Sequence, residues 1–129
     1  SSKVEDKLSG KTKVLVVDDN DINRTVLGKH LSRLGAEVTL AVNGQDALEN
    51  YFAMPDAFSV ILMDLEMPVM DGRQATVRIR QDEEKVGKLS PVPIIAVTGN
   101  ARSEQIRETL ACGITEVLIK PFSRQQVED

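Results

Sequence analysis

Three aspartates, a threonine and a lysine stand where short apolar runs end. Asp18 and Asp19 follow Val14–Val17, Asp64 follows Val60–Met63, Thr98 follows Ile94–Val97, and Lys120 follows Val117–Ile119. Brought onto one rim, these side chains define a narrow chemistry. Two carboxylates about 4 Å apart repel by roughly 4 kcal/mol at an effective dielectric near 20, and a third adds to the repulsion. Such a group either holds protons or binds a cation. Hard divalent cations take carboxylate oxygens, and Mg²⁺ commonly uses one or two of them while keeping waters and phosphate oxygens. An all-oxygen set without His or Cys points to Mg²⁺ rather than zinc. With a cation and the Lys120 ammonium offsetting the charge on its oxygens, a phosphoryl group is open to attack by a carboxylate, and Thr98 can donate a hydrogen bond to another oxygen. The set has the parts for phosphoryl transfer to an aspartate.

The elements that carry these residues alternate in type. Val14–Val17 and Val60–Met63 are unbroken apolar runs, as expected of strands buried on both faces, and Ile94–Val97 is a third such run after Pro93. Val38–Val42 alternates, with Val38, Leu40 and Val42 set against Thr39 and Ala41, which predicts a half-exposed edge strand. Val117–Ile119 completes five strands. Between them the spacing predicts helices over Ile22–Leu34 (Leu27, Leu31 and Leu34 on one face, Gly35 at the end), after the N-cap Asn43 (Ala47, Leu48, Tyr51), over Gly72–Arg80 (Ala75, Ile79) and over Ala101–Cys112 (Ile106 and Leu110 inward). Asp82–Val92 reads as a charged connection, residues 1–11 as a linker or tail, and Ser123 as the start of a last helix cut short by the chain end. Parallel strands need long, usually helical and right-handed crossovers. The expected fold is therefore α/β, a doubly wound (βα)5 flavodoxin-like sheet occupying residues 12–129, with ligands at the carboxyl ends of its strands.

Bulk properties narrow the setting. A chain of 129 residues with 41% hydrophobic and 28% charged residues suits one globular domain. The net charge of −4 disfavours a nucleic-acid or anionic-membrane surface. No apolar run approaches the roughly 20 residues of a membrane span. A single cysteine, Cys112, leaves no internal disulfide and fits a reducing compartment, so a cytoplasmic setting is expected, either alone or as a cytosolic piece of something larger.

Taken in order, the blocks Val14-Leu15-Val16-Val17-Asp18-Asp19-Asn20, Leu62-Met63-Asp64-Leu65-Glu66-Met67-Pro68, Met70-Asp71-Gly72, Thr98-Gly99-Asn100 and Lys120-Pro121-Phe122 resemble the receiver domains of two-component response regulators, those of hybrid histidine kinases in particular. The resemblance implies strand order 2-1-3-4-5 and a phosphoacceptor at Asp64, charged from a phosphohistidine on a histidine kinase or a histidine phosphotransfer protein. It implies Mg²⁺ held by Asp19, Asp64 and the Glu66 carbonyl, with Asp18 acting through a water. Lys120 would pair with the phosphoryl group, the Lys120–Pro121 bond would be cis, and Thr98 would move toward the phosphoryl oxygens and switch a protein-interaction surface. Turnover would be limited to self-catalysed phosphotransfer and autodephosphorylation. Any weak homodimer is expected on the last two helices and the fifth strand. Two departures stand out: Val117 occupies a position where many receivers have Tyr or Phe, and Gly99 stands where Ala is more usual. Glu66 and Asn100 fall at positions that tune phosphoryl lifetime.

Other readings compete. Adjacent aspartates after a strand are usually turn or cap residues, and Thr98 alone would read as a helix cap; their joint placement with Asp64 and Lys120 argues otherwise. A phosphatase of the haloacid-dehalogenase kind would want an Asp where Glu66 stands, and would carry a cap domain. A pseudo-receiver would have lost some of the acidic set. A flavin or nucleotide carrier would need a glycine-rich loop after the first strand. His30 is expected to pack or be partly exposed, Cys112 to be a small buried residue, and Met63, Met67 and Met70 to be packing rather than ligands.

Overall fold

The computed structural model describes residues 12–54, 57–65, 71–88, 90–98 and 103–119 of the chain. Strands and helices alternate through them: β1 (Lys13–Val17), α1 (Asp21–Arg33), β2 (Glu37–Ala41), α2 (Gly44–Ala53), β3 (Val60–Asp64), α3 (Gly72–Val86), β4 (Ile94–Thr98), α4 (Ser103–Ala111) and β5 (Glu116–Ile119). The five strands form one parallel sheet in the order β2-β1-β3-β4-β5. This is the doubly wound arrangement expected from the sequence. The tail up to Lys11 and the helix expected from Ser123 lie outside the described residues.

Strand periodicity divides the core in two. Leu15, Val17, Ile61, Met63, Ile94 and Ala96 point to one side, where Ala47, Leu48 and Tyr51 of α2 and Ala75 and Ile79 of α3 meet them. Val14, Val16, Val60, Leu62 and Ile95 point to the other, under Leu31 of α1 with Leu27 and Leu34 partly buried beside it. Residues two apart on a strand share a face, so a run such as Val14–Val17 feeds both cores and must be apolar throughout. The helix starts are capped by side chains. Asn20, Asn43 and Asp71 accept hydrogen bonds from the N–H groups of Asn23, Asp46 and Gln74 at 2.9, 2.8 and 3.0 Å, each typically contributing about 1 kcal/mol.

The structure departs from the sequence reading in three places. α3 continues to Val86 and ends at Gly87 in the left-handed conformation (φ 71°), so the charged stretch from Asp82 is largely helix. Glu83 accounts for this, because it turns inward, pairs with Arg80 at 2.7 Å and accepts the Val92 N–H at 2.7 Å. Arg80 also donates to the Gly113 and Val92 carbonyls at 2.9 and 2.8 Å, clamping α3 to the start of β4 and the turn before β5. In β2 the expected facing is inverted at the end of the strand: Ala41 is buried and Leu40 and Val42 are exposed. β2 is an edge strand, and Leu40 lies there against Gly28 of α1, where an added Cβ would stand 3.1 Å from Leu40 Cδ2. In α4 it is Thr109 that is buried, whereas Leu110 is exposed, and Thr109 accepts a hydrogen bond from Arg73 of α3 at 3.3 Å. The Ile106 side chain lies outside the described residues.

Candidate functional site

Ladder geometry brings the aspartates together. β1 and β3 are neighbours in register, Val17 opposite Met63, so the residues that follow them, Asp18 and Asp64, emerge side by side at the carboxyl end of the sheet. Asp64 is 3% exposed and Asp18 is also buried, while Asp19 is open to solvent. Oxygens from Asp18, Asp19 and Asp64 lie within 4.8 Å of one another. At that separation each pair of charges repels by about 3 kcal/mol at an effective dielectric near 20. Carboxylates held this close, two of them buried, form an all-oxygen group that could hold a metal ion, and no His or Cys belongs to it.

Local hydrogen bonds hold the rim. The Asp18 N–H donates to the Ala41 carbonyl at 3.2 Å, and one Asp18 carboxylate oxygen accepts the Asn20 N–H at 2.9 Å. On the other side, the Leu65 N–H donates to the Val97 carbonyl at 3.1 Å, and the Gly72 N–H donates to the Leu65 carbonyl at 3.3 Å. α3 therefore starts against the segment that carries Asp64, fixed by a reciprocal cap in which the Asp71 N–H also donates to the Gln74 side chain at 3.2 Å. Thr98 ends β4, buried, one residue beyond the partner of Asp64 in the ladder.

Of the residues singled out in the sequence, Asp18, Asp19 and Asp64 are brought into one cluster and Thr98 ends the neighbouring strand on the same rim. Glu66, Gly99, Asn100, Lys120 and Pro121 lie outside the described residues, as do Met67 and Met70. Val117 is half-buried in β5, packed against the core cluster that includes Ile94 and Ala96. His30 is half-buried on α1 and Met63 is a core residue. Cys112 is half-buried, and burial is the main cause pushing its thiol pKa up, which fits packing rather than reactivity.

Sequence reasoning missed Arg24. Its guanidinium donates to the Asp18 carbonyl at 2.7 Å and pairs with Asp21. The available signal was the Asp21–Arg24 spacing of three on a helix, which reads as an ordinary surface pair.

Residues 14–129 match the family described as the response regulator receiver domain. The sensor histidine kinase GacS of Pseudomonas protegens is 39% identical over 98% of this chain, which spans only 14% of that protein's length. Among solved structures, the receiver domain of the sensor histidine kinase PA1611 of Pseudomonas aeruginosa is 37% identical, with a TM-score of 0.77 over 92% of this chain and 93% of that one. It carries a magnesium ion coordinated in its active-site cleft. A co-crystal structure of the Saccharomyces cerevisiae phosphotransfer protein Ypd1 with the receiver domain of Ssk1 matches at 32% identity and a TM-score of 0.84, over 91% of this chain and 83% of that one. Among the described residues no helix is long and apolar enough to cross a membrane.

Proposed function

The chain belongs to the response regulator receiver domain family, and from that premise we propose that Asp64 accepts a phosphoryl group from a phosphohistidine on a histidine kinase or phosphotransfer protein. The observation that carries this reading is the convergence of Asp18, Asp19 and Asp64 within 4.8 Å at the carboxyl end of the sheet. In the transfer, an Asp64 carboxylate oxygen bonds to phosphorus as the phosphorus–nitrogen bond of the donor breaks, leaving an acyl phosphate and a free imidazole. Asp19, Asp64 and the Glu66 carbonyl would hold Mg²⁺, with Asp18 orienting a bound water; the oxygen-only donors and their spacing fit that ion. The ion's contribution is to offset the charge gathered between the carboxylates and the incoming phosphoryl oxygens. Lys120 would neutralise a phosphoryl oxygen, and the Thr98 hydroxyl would donate to another and draw the following segment with it.

A partner that presents a phosphohistidine has to reach this rim. α1 leaves it immediately after Asp19 and exposes Ile22 (74%) and Val26 (62%), one turn apart. That pair offers an apolar landing area for a helical partner, and the magnesium-bound and Ypd1-bound neighbours support both halves of the reading. Val117 has no ring to rotate, so the switch would be read through the segment after Thr98 rather than through an aromatic side chain on β5.

Intact-mass spectrometry after incubation with acetyl phosphate tests the proposal. A single Mg²⁺-dependent phosphoryl adduct is expected on the parent and none on Asp64→Asn. An adduct that survives in Asp64→Asn, or forms equally in EDTA, would refute it.

A further inference from the structure

Arg24 sits one turn into α1, and its side chain is only 12% exposed. A charge withdrawn from water to that extent needs partners. Nη1 donates to the Asp18 carbonyl at 2.7 Å and Nη2 pairs with the Asp21 carboxylate, while the Arg24 N–H donates to the Asn20 carbonyl at 2.9 Å. Asp18 is thus held at every polar group it has: its N–H by Ala41, its carboxylate by the Asn20 N–H, and its carbonyl by Arg24. Asp19 differs. Among the described residues nothing hydrogen-bonds its carboxylate, so its place beside Asp18 and Asp64 depends on the backbone that carries it.

We propose that Arg24 is a positioning residue for the acidic site, fixing the turn from Asp18 to Asn20 so that the Asp19 carboxylate stands ready for a divalent cation. The inference rests on reading the aspartates as a cation site. Arg24 also brings a positive charge toward that site, which by itself opposes cation binding; Asp21 sits on the guanidinium and offsets it. The two effects therefore have opposite signs, and an experiment can separate them. If the carbonyl anchor dominates, removing the guanidinium weakens cation binding. If only its charge matters, removal strengthens binding.

The test is calorimetric titration of Mg²⁺ alone into the 129-residue chain and into Arg24→Met and Arg24→Lys. It is paired with thermal melts in EDTA and with acetyl-phosphate labelling rates across Mg²⁺ concentration. Groups that orient metal ligands commonly change affinity about 10–100-fold when removed. Arg24→Met is expected to bind Mg²⁺ on the order of tenfold more weakly. Arg24→Lys keeps the charge without the planar fork and is also expected to bind more weakly than the parent. In both, the Mg²⁺ concentration for half-maximal labelling should rise while the rate at saturating Mg²⁺ stays within about twofold of the parent, the pattern of a lost ligand-orienting group. Unchanged or tighter binding by folded Arg24→Met overturns the role, and so does parent-like binding by Arg24→Lys if Arg24→Met fails to fold. A parent that binds no Mg²⁺ overturns the cation-site reading, and the Arg24 role with it.

Discussion

Gly72 lies so close to Asp64 that a Cβ on it would stand 2.6 Å from the Asp64 carbonyl oxygen. The same Cβ would meet Met63 Cγ at 2.7 Å and Leu65 Cδ2 at 2.9 Å, so backbone and side chains would both have to shift. The start of α3 is thereby pressed against the strand end that presents the buried carboxylate. Gly72→Ala is expected to cost about 1–3 kcal/mol through overpacking, measured by urea unfolding. Because the displaced atoms belong to Asp64 and its neighbours, Mg²⁺ affinity should fall in the same variant. A variant as stable as the parent would mean that the contact relaxes without strain.

The clustered aspartates repel one another when no cation is present. Asp18→Asn keeps an oxygen able to accept the Asn20 N–H but removes one charge from the cluster. In EDTA its thermal midpoint should lie above the parent's, by about 3–5 °C for each kcal/mol of repulsion relieved. Adding Mg²⁺ should raise the parent's midpoint more than the variant's. A lower midpoint for Asp18→Asn in EDTA would show that this carboxylate stabilises the fold by itself.

At the opposite end of the sheet, Glu83 and Arg80 form a charged clamp with Glu83 buried. Glu83→Ala leaves the Val92 N–H without its acceptor and Arg80 without its counter-ion. The expected loss is about 2–4 kcal/mol, read from chemical denaturation. Phosphoryl labelling of the folded fraction should be unchanged, because the clamp stands away from the carboxylates.

Burial raises the pKa of the Cys112 thiol above its ordinary 9.0, with backbone hydrogen bonds and Arg73 opposing the shift. The folded state then keeps this proton to higher pH than the unfolded state does. The resulting stability is fully present below the unfolded pKa and is lost as pH rises through the folded one. The stability difference between the parent and Cys112→Ala should be flat through neutral pH and shift against the parent above about pH 9. Alkylation by iodoacetamide at pH 7 should be slower than for an unstructured cysteine peptide. Equal rates would place the thiol in an open environment.

The central strands were legible because burial on both faces leaves only one kind of sequence, the unbroken apolar runs before Asp18, Asp64 and Thr98. Strand ends in such a sheet fix where chemistry collects, so the aspartates followed directly. What could not be read depends on partners distant in sequence. Glu83 looks solvent-seeking until Arg80 and Val92 are beside it, and Leu40 looks inward-facing until Gly28 is seen opposite it. Leu110 and Thr109 exchange roles because Arg73 reaches across from α3. Arg24 was invisible for a related reason: its partner is a backbone carbonyl, and a carbonyl leaves no mark in the identity of the residue that bears it.

The sheet order also bears on how the chain is assembled during synthesis. β1 is the first of the five strands to be made, yet one of its two neighbours is β3, about a third of the chain later, and β5 completes the sheet last. Among the described strands every pairing is parallel and none runs through a tight hairpin, so each closes a long loop and is expected to form slowly. Asp18 and Asp64 become neighbours only once the β1–β3 rung has closed. A nascent chain stalled before Asp64 therefore holds β1 with one edge bare, a state prone to pairing with other chains, and gains both a closed sheet centre and an acidic pocket in the same event.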